Sequence, residues 1–150
     1  MDPSWFSLCS RKVLRRKGKK PGTQQKRGRF NVKKTIKYRP QEVENRKTFG
    51  HWELDAMVSS RGQSKGCFAI FVERKTRFYV AIKMDDRTKD SMFLAISSLY
   101  NTLTSKLLKT FTVDRGKEFA CFEQVENEFG IAMYFADAYT AWQRGSNFRY

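Results

Sequence analysis

The sequence predicts an α/β domain with the element order βββαβαβ, carried behind a basic N-terminal arm. Three observations predict it. Three short apolar runs follow one another between positions 51 and 84 with only small turns between them, as the strands of an antiparallel meander do. Beyond them, two stretches with helical spacing alternate with two more short apolar runs. The charge is split: residues 11–47 hold 16 of the 30 Lys and Arg against two acids, whereas residues 48–150 hold 14 against 12.

The elements follow in order. Residues 1–10 match nothing after them and read as a lead-in. Residues 11–37 mix basic side chains with Pro21, Gly22 and Gly28 and show little apolar periodicity, so a flexible, disordered arm is expected over 1–38. The globular part is expected over 39–150. Arg39 to Lys47 reads as a linker or helical turn. His51 to Ser59 is a strand, with Trp52, Leu54, Ala56 and Val58 on one face and Glu53, Asp55 and Met57 on the other. Ser59 to Gly62 is a turn. Cys67 to Glu73 is a nearly continuous apolar run, which suits a central strand. Phe78 to Met84 is the third strand. Thr88 suits a helix N-cap, and Met92, Ile96, Leu99 and Leu103 then form one stripe. Leu108 to Val113 is the fourth strand and ends at Asp114. Lys117 to Phe129 is a helix closed by Gly130, and Ile131 to Phe135 is the fifth strand. Ala138 to Asn147 is a polar loop.

Composition narrows the function. No apolar run approaches the roughly 20 residues of a membrane span, and the first ten residues lack a secretory pattern. The three cysteines, Cys9, Cys67 and Cys121, are odd in number and widely spaced, which fits a reducing compartment better than a disulfide framework. A net charge of +15 concentrated in one arm points to a polyanion. Each Lys or Arg that meets a phosphate releases condensed counterions. The residues expected to do so are Arg15, Arg16, Lys17, Lys19, Lys20, Lys26, Arg27, Arg29, Lys33 and Lys34.

Asp55 and Asp114 carry the chemistry. Each sits in or at the end of an apolar strand, and the two meet if their strands pair. Carboxylates converging from different elements suit two hard divalent ions, Mg²⁺ or Mn²⁺, in phosphoryl transfer. On spacing alone the plainer account is an edge-strand charge and a turn residue.

Resemblance shifts that balance. The stretches RPQEVENRKTFGHWELD (39–55), ERKTRF (73–78), FTVDRGKEFA (111–120) and YFADAYTAWQRGSN (134–147) resemble, in order and spacing, the catalytic core of the IS-thirty family of bacterial insertion-sequence transposases. The resemblance implies an RNase H-like fold with a mixed five-stranded sheet. It also implies an Asp-Asp-Glu catalytic set holding two Mg²⁺ or Mn²⁺ ions, in which Asp55 matches the first acid and Asp114 the second. It implies double-stranded DNA as partner (the insertion-sequence ends and a target), a homo-oligomer or mixed oligomer with a full-length transposase, and a place at the bacterial nucleoid in the cytoplasm. The third acid falls at position 148, which is Phe148. With the family's long C-terminal helix and its N-terminal helix-turn-helix also missing, the expectation is a catalytically impaired fragment. The alternative is a non-enzymatic DNA-binding fragment that interferes with a full-length transposase.

Other residues have two readings each. Glu118 is either a helix-start acid or a substitute ligand, and Glu53 either a strand charge or part of the site. His51, the single histidine, more plausibly anchors the start of a strand than binds zinc. Trp52 and Trp142 suit packing better than base stacking. Arg144, beside Gln143 in the loop expected to border the site, is expected to contact a DNA phosphate. Arg115 and Lys117 share that prospect.

Overall fold

The computed structural model describes residues 32–58 and 66–137. The expected turn after Val58, the basic residues Arg15 to Arg29, Trp142, Gln143, Arg144 and Phe148 lie outside the described residues.

The domain is one mixed sheet with helices on it. Short helix α1 (Gln41–Asn45) precedes three strands: β1 (His51–Val58), β2 (Cys67–Glu73) and β3 (Tyr79–Met84). Helix α2 (Lys89–Thr102), β4 (Thr110–Val113), α3 (Phe122–Phe129) and β5 (Ala132–Phe135) complete it. The sheet order is β3-β2-β1-β4-β5. The first three strands are antiparallel, and β4 and β5 join them in parallel. This is the RNase H-like arrangement that the family resemblance implied, and it keeps the βββαβαβ order read from the apolar spacing.

Periodicity sets the main core. Trp52 and Leu54 of β1, Phe71 of β2, Phe111 and Val113 of β4, and Met133 and Phe135 of β5 turn to one face. Helix α2 covers them with Met92, Ile96 and Leu99, and α3 with Phe122 and Val125. The Thr88 side chain accepts from the Ser91 amide and caps α2. Gly130 closes α3 with φ of 68°, its amide donating to the Glu126 carbonyl at 3.0 Å.

The structure departs from the sequence expectation in three places. β1 is not a simple half-buried strand. Both of its faces are buried from His51 to Leu54; Asp55 and Ala56 are partly buried, and Met57 and Val58 are exposed. The cause is residues 35–45, which fold over the second face and bury Val43 and Arg39 there. Ordered contact with the sheet also begins before residue 39. Thr35 bridges to Phe135, and the Phe135 amide donates to the Lys34 carbonyl. Finally, the helix expected from Lys117 is two pieces. Lys117–Cys121 is a 3-10 turn, and only then does α3 start.

Candidate active site

On its second face the sheet is polar along β1 and β4, while Ile70 and Val72 of β2 keep the adjoining part apolar. The parallel register of β1 and β4 pairs His51 with Thr110 and Glu53 with Thr112. Carried onward, that register sets Asp55 opposite Asp114. Alternation along a strand then puts His51, Glu53 and Asp55 of β1 on one face with Thr110 and Thr112 of β4 and Asp114 just beyond it.

The lower part of this face is closed. Glu53 is fully buried and pairs with Arg74, whose Nε donates to the Val43 carbonyl at 3.2 Å. Arg39 donates to Thr112 Oγ1 at 3.1 Å and pairs with Glu44. His51 Nδ1 lies 2.8 Å from Thr110 Oγ1, and its Nε2 is 3.6 Å from Glu42. Glu53 is thus a buried, paired anion that holds the sheet to the segment before it. Ionised groups this deep persist only when paired, because burial strips their hydration.

One step further along the strands, the face opens. Asp55 and Asp114 are both only partly buried. Asp55 Oδ1 accepts from the Ala56 amide at 2.8 Å, and Asp114 Oδ1 from the Gly116 amide at 2.9 Å. The latter bond tightens the Asp114-Arg115-Gly116 bend, and Phe119 donates to the Gly116 carbonyl in the turn that follows. That tight turn carries Glu118 inward. Glu118 is almost wholly buried and accepts from Arg87 through both Nε, at 2.8 Å, and Nη2. It therefore does not serve as a helix-start charge in solvent. Burial disfavours the Arg87 charge, but the Glu118 bond and the charges of Glu118, Asp114 and Asp55 outweigh it and raise its pKa above the ordinary arginine value.

Hard oxygen donors on adjacent strands suit a divalent cation, so Asp55 and Asp114 are the residues that would hold one. Among the described residues, no three His, Cys, Asp or Glu converge as a metal-holding group. Glu118 does not complete the pair, since Arg87 engages it.

The remaining candidates divide. Trp52 is core: it is fully buried, donates to the Leu107 carbonyl at 2.8 Å, and meets Phe49 and Phe78 edge-on. Lys33 and Lys34 pair with Glu123 and Glu126 of α3 at 2.9 and 3.0 Å. Arg115 donates to the Ala136 carbonyl at 3.3 Å. Sequence reasoning passed over Arg87, which stands in a polar link with no motif to mark it. It also gave Arg39 and Arg74 no role, although both lie in the family-like stretches.

A mixed five-stranded sheet in the order β3-β2-β1-β4-β5, three strands antiparallel and two joined in parallel, is the fold of an integrase-type core. Residues 45–141 match the integrase core domain, and the chain belongs to that family. The catalytic core domain of BIV integrase has the same fold, with a TM-score of 0.53 and 19% identity over 66% of this chain and 62% of that one. Among relatives, the chain is similar to the transposase for insertion sequence element IS1086 of Cupriavidus metallidurans, at 33% identity over 81% of this chain and 35% of the relative. It is 32% identical to the transposase InsI for insertion sequence element IS30A of Escherichia coli, over 88% of this chain and 34% of that one. The probable transposase for the insertion-like sequence element IS1161 of Streptococcus salivarius is 31% identical, over 86% of this chain and 34% of that one. The chain thus spans about a third of the length of these relatives.

Proposed function

We propose that this chain is the catalytic core of a DNA transposase, acting on the DNA ends of an insertion sequence and on a target duplex. The single observation that supports the reading is the parallel pairing of β1 with β4, with Glu53 opposite Thr112; extended by two residues, that register would bring Asp55 alongside Asp114, both of them partly buried. The reaction is phosphodiester cleavage followed by attack of the freed 3′-hydroxyl on a second DNA strand, with no covalent enzyme intermediate. Asp55 and Asp114 are the metal-holding carboxylates. When bound, Mg²⁺ or Mn²⁺ supplies charge to the attacking and leaving oxygens. The protein holds the two acids in place through the Ala56 and Gly116 amides. The basic residues from Arg15 to Lys34, with Arg144, bind the DNA backbone.

Phe148 at the third-acid position leaves the pair without its usual partner, so this chain is a weak catalyst. A supercoiled plasmid with Mn²⁺ tests this by nicking. Phe148→Glu should raise the nicking rate by roughly a thousandfold, and Asp114→Ala in that background should abolish it. Native-level nicking that survives Asp55→Ala and Asp114→Ala would sink the reading.

Phe148 also favours a second reading, in which the chain is a DNA-binding partner of a longer transposase and does not cut. Salt-steep DNA binding that is indifferent to Asp55→Ala, with no gain from Phe148→Glu, would select it.

A further inference from the structure

This inference rests on Asp55 and Asp114 being the reacting site. Arg87 lies between β3 and α2, far in sequence from both aspartates. Its guanidinium is tethered at one side: Nε and Nη2 donate to the same Glu118 oxygen, and Nη1 takes no part in that tether. The tether is firmly seated. The Glu118 side chain is 4% exposed and packs against Gly116, where an added Cβ would stand 2.5–2.6 Å from its carboxylate. The amide of that same glycine donates to Asp114. One glycine is therefore braced between the Asp114 carboxylate and the carboxylate that holds Arg87. The charges of Asp114 and Asp55 both reach the guanidinium.

Arg87 nevertheless remains open to solvent. Its side chain is 48% exposed, whereas Arg74, which serves the buried Glu53 pair, is 2% exposed. A cation needed only to neutralise Glu118 has no reason to face water beside two aspartates. Two carboxylates repel an arriving phosphate, and a fixed guanidinium with a spare N–H edge offsets that repulsion while defining direction. We propose that Arg87, held by Glu118, is a phosphate-positioning residue that binds a non-bridging oxygen of the DNA backbone phosphate entering the Asp55–Asp114 site.

The test measures two affinities of the 150-residue chain. Mn²⁺ binding is followed by electron paramagnetic resonance. Binding of a short fluorescent duplex is followed by anisotropy, with and without Mn²⁺ and across a salt series. Arg87→Gln should act with opposite signs. Without DNA it should tighten Mn²⁺ about fivefold, because a neighbouring positive charge is gone. It should also lower the Mn²⁺-dependent gain in DNA affinity roughly tenfold, and the salt slope by about 0.9. Arg87→Lys should keep the native Mn²⁺ affinity and salt slope but restore only part of the gain, since a point charge lacks the planar fork. If Arg87→Gln lowers the melting temperature yet leaves both affinities unchanged, the residue is merely structural and the proposal falls. Should Arg87→Gln fail to fold, Glu118→Gln, which releases the tether, must reduce the DNA gain, and an unchanged gain overturns the proposal. If Mn²⁺ binds equally well to Asp55→Ala, or not at all to the native chain, the site reading itself fails and takes this inference with it.

Discussion

His51 gives the domain a pH dependence of its own. It is 1% exposed, with Nδ1 against Thr110 and Nε2 unbonded. Burial holds its pKa below the ordinary 6.5, only partly opposed by Glu42. The unfolded chain therefore takes up a proton near pH 6.5 that the folded chain resists. Stability from this residue is full above 6.5 and is lost as pH falls from there toward the lower folded value. Urea midpoints measured from about pH 8 to about pH 5 should record the decline, and His51→Gln should remove that part of it. The cysteines do not compete for this role. Burial pushes the Cys121 thiol up to about 11 and raises Cys67 as well, so both serve as core.

At the scale of elements, the caps decide where α2 and α3 begin and end. The Thr88 side chain satisfies the Ser91 amide, while Asp86 accepts from Thr88 and Ser91 and steadies the same turn. Thr88→Ala should cost about 1 kcal/mol in chemical denaturation. Gly130 ends α3 in the left-handed region with open space where a Cβ would lie. Gly130→Ala is therefore strained by its backbone rather than by a clash, and should cost about 1–2 kcal/mol. Gly116 is the opposite case. Its backbone is ordinary, but a Cβ would strike the Glu118 carboxylate. Gly116→Ala should displace the Glu118–Arg87 pair and, with it, the amide that holds Asp114. A fall in Mn²⁺ affinity larger than the fall in stability is the expected signature.

At the scale of the molecule, an ionic cluster of buried Glu53, Arg74 and Arg39 with exposed Glu44 joins residues 39–45 to the sheet. Glu53, Arg74, Arg39 and Glu44 link the segment before β1 to β1, β4 and the β2–β3 turn. Removing one partner leaves the other charged and dry. Glu53→Gln should therefore cost roughly 3 kcal/mol or more in urea unfolding at fixed pH. The basic arm acts on a different quantity. If its residues meet DNA phosphates, replacing Arg15, Arg16, Lys17, Lys19 and Lys20 with Gln should flatten the salt dependence of DNA binding. The slope should fall by about 0.9 for each phosphate no longer neutralised, with the melting temperature unchanged.

Strand and helix order were legible before any folding, because periods of two and of three to four are written in apolar spacing. Trp52, Leu54, Met92, Ile96 and Leu99 sit where that spacing put them. Asp55 and Asp114 were less plain: by spacing alone they read as an edge-strand charge and a turn residue, and only the family resemblance singled them out. What the sequence did not carry was who answers whom across the fold. Glu53 read like Asp55, two residues away on one face. Only packing separated them, burying one against Arg74 and leaving the other on the rim. Glu118 read as a helix-start acid until the 3-10 turn drew it under Gly116 to meet Arg87. Arg87 had no signature at all, because its meaning lies in a partner 31 residues away. Apolar burial follows local pattern, whereas the pairing of charges depends on distances that only the folded sheet brings into being.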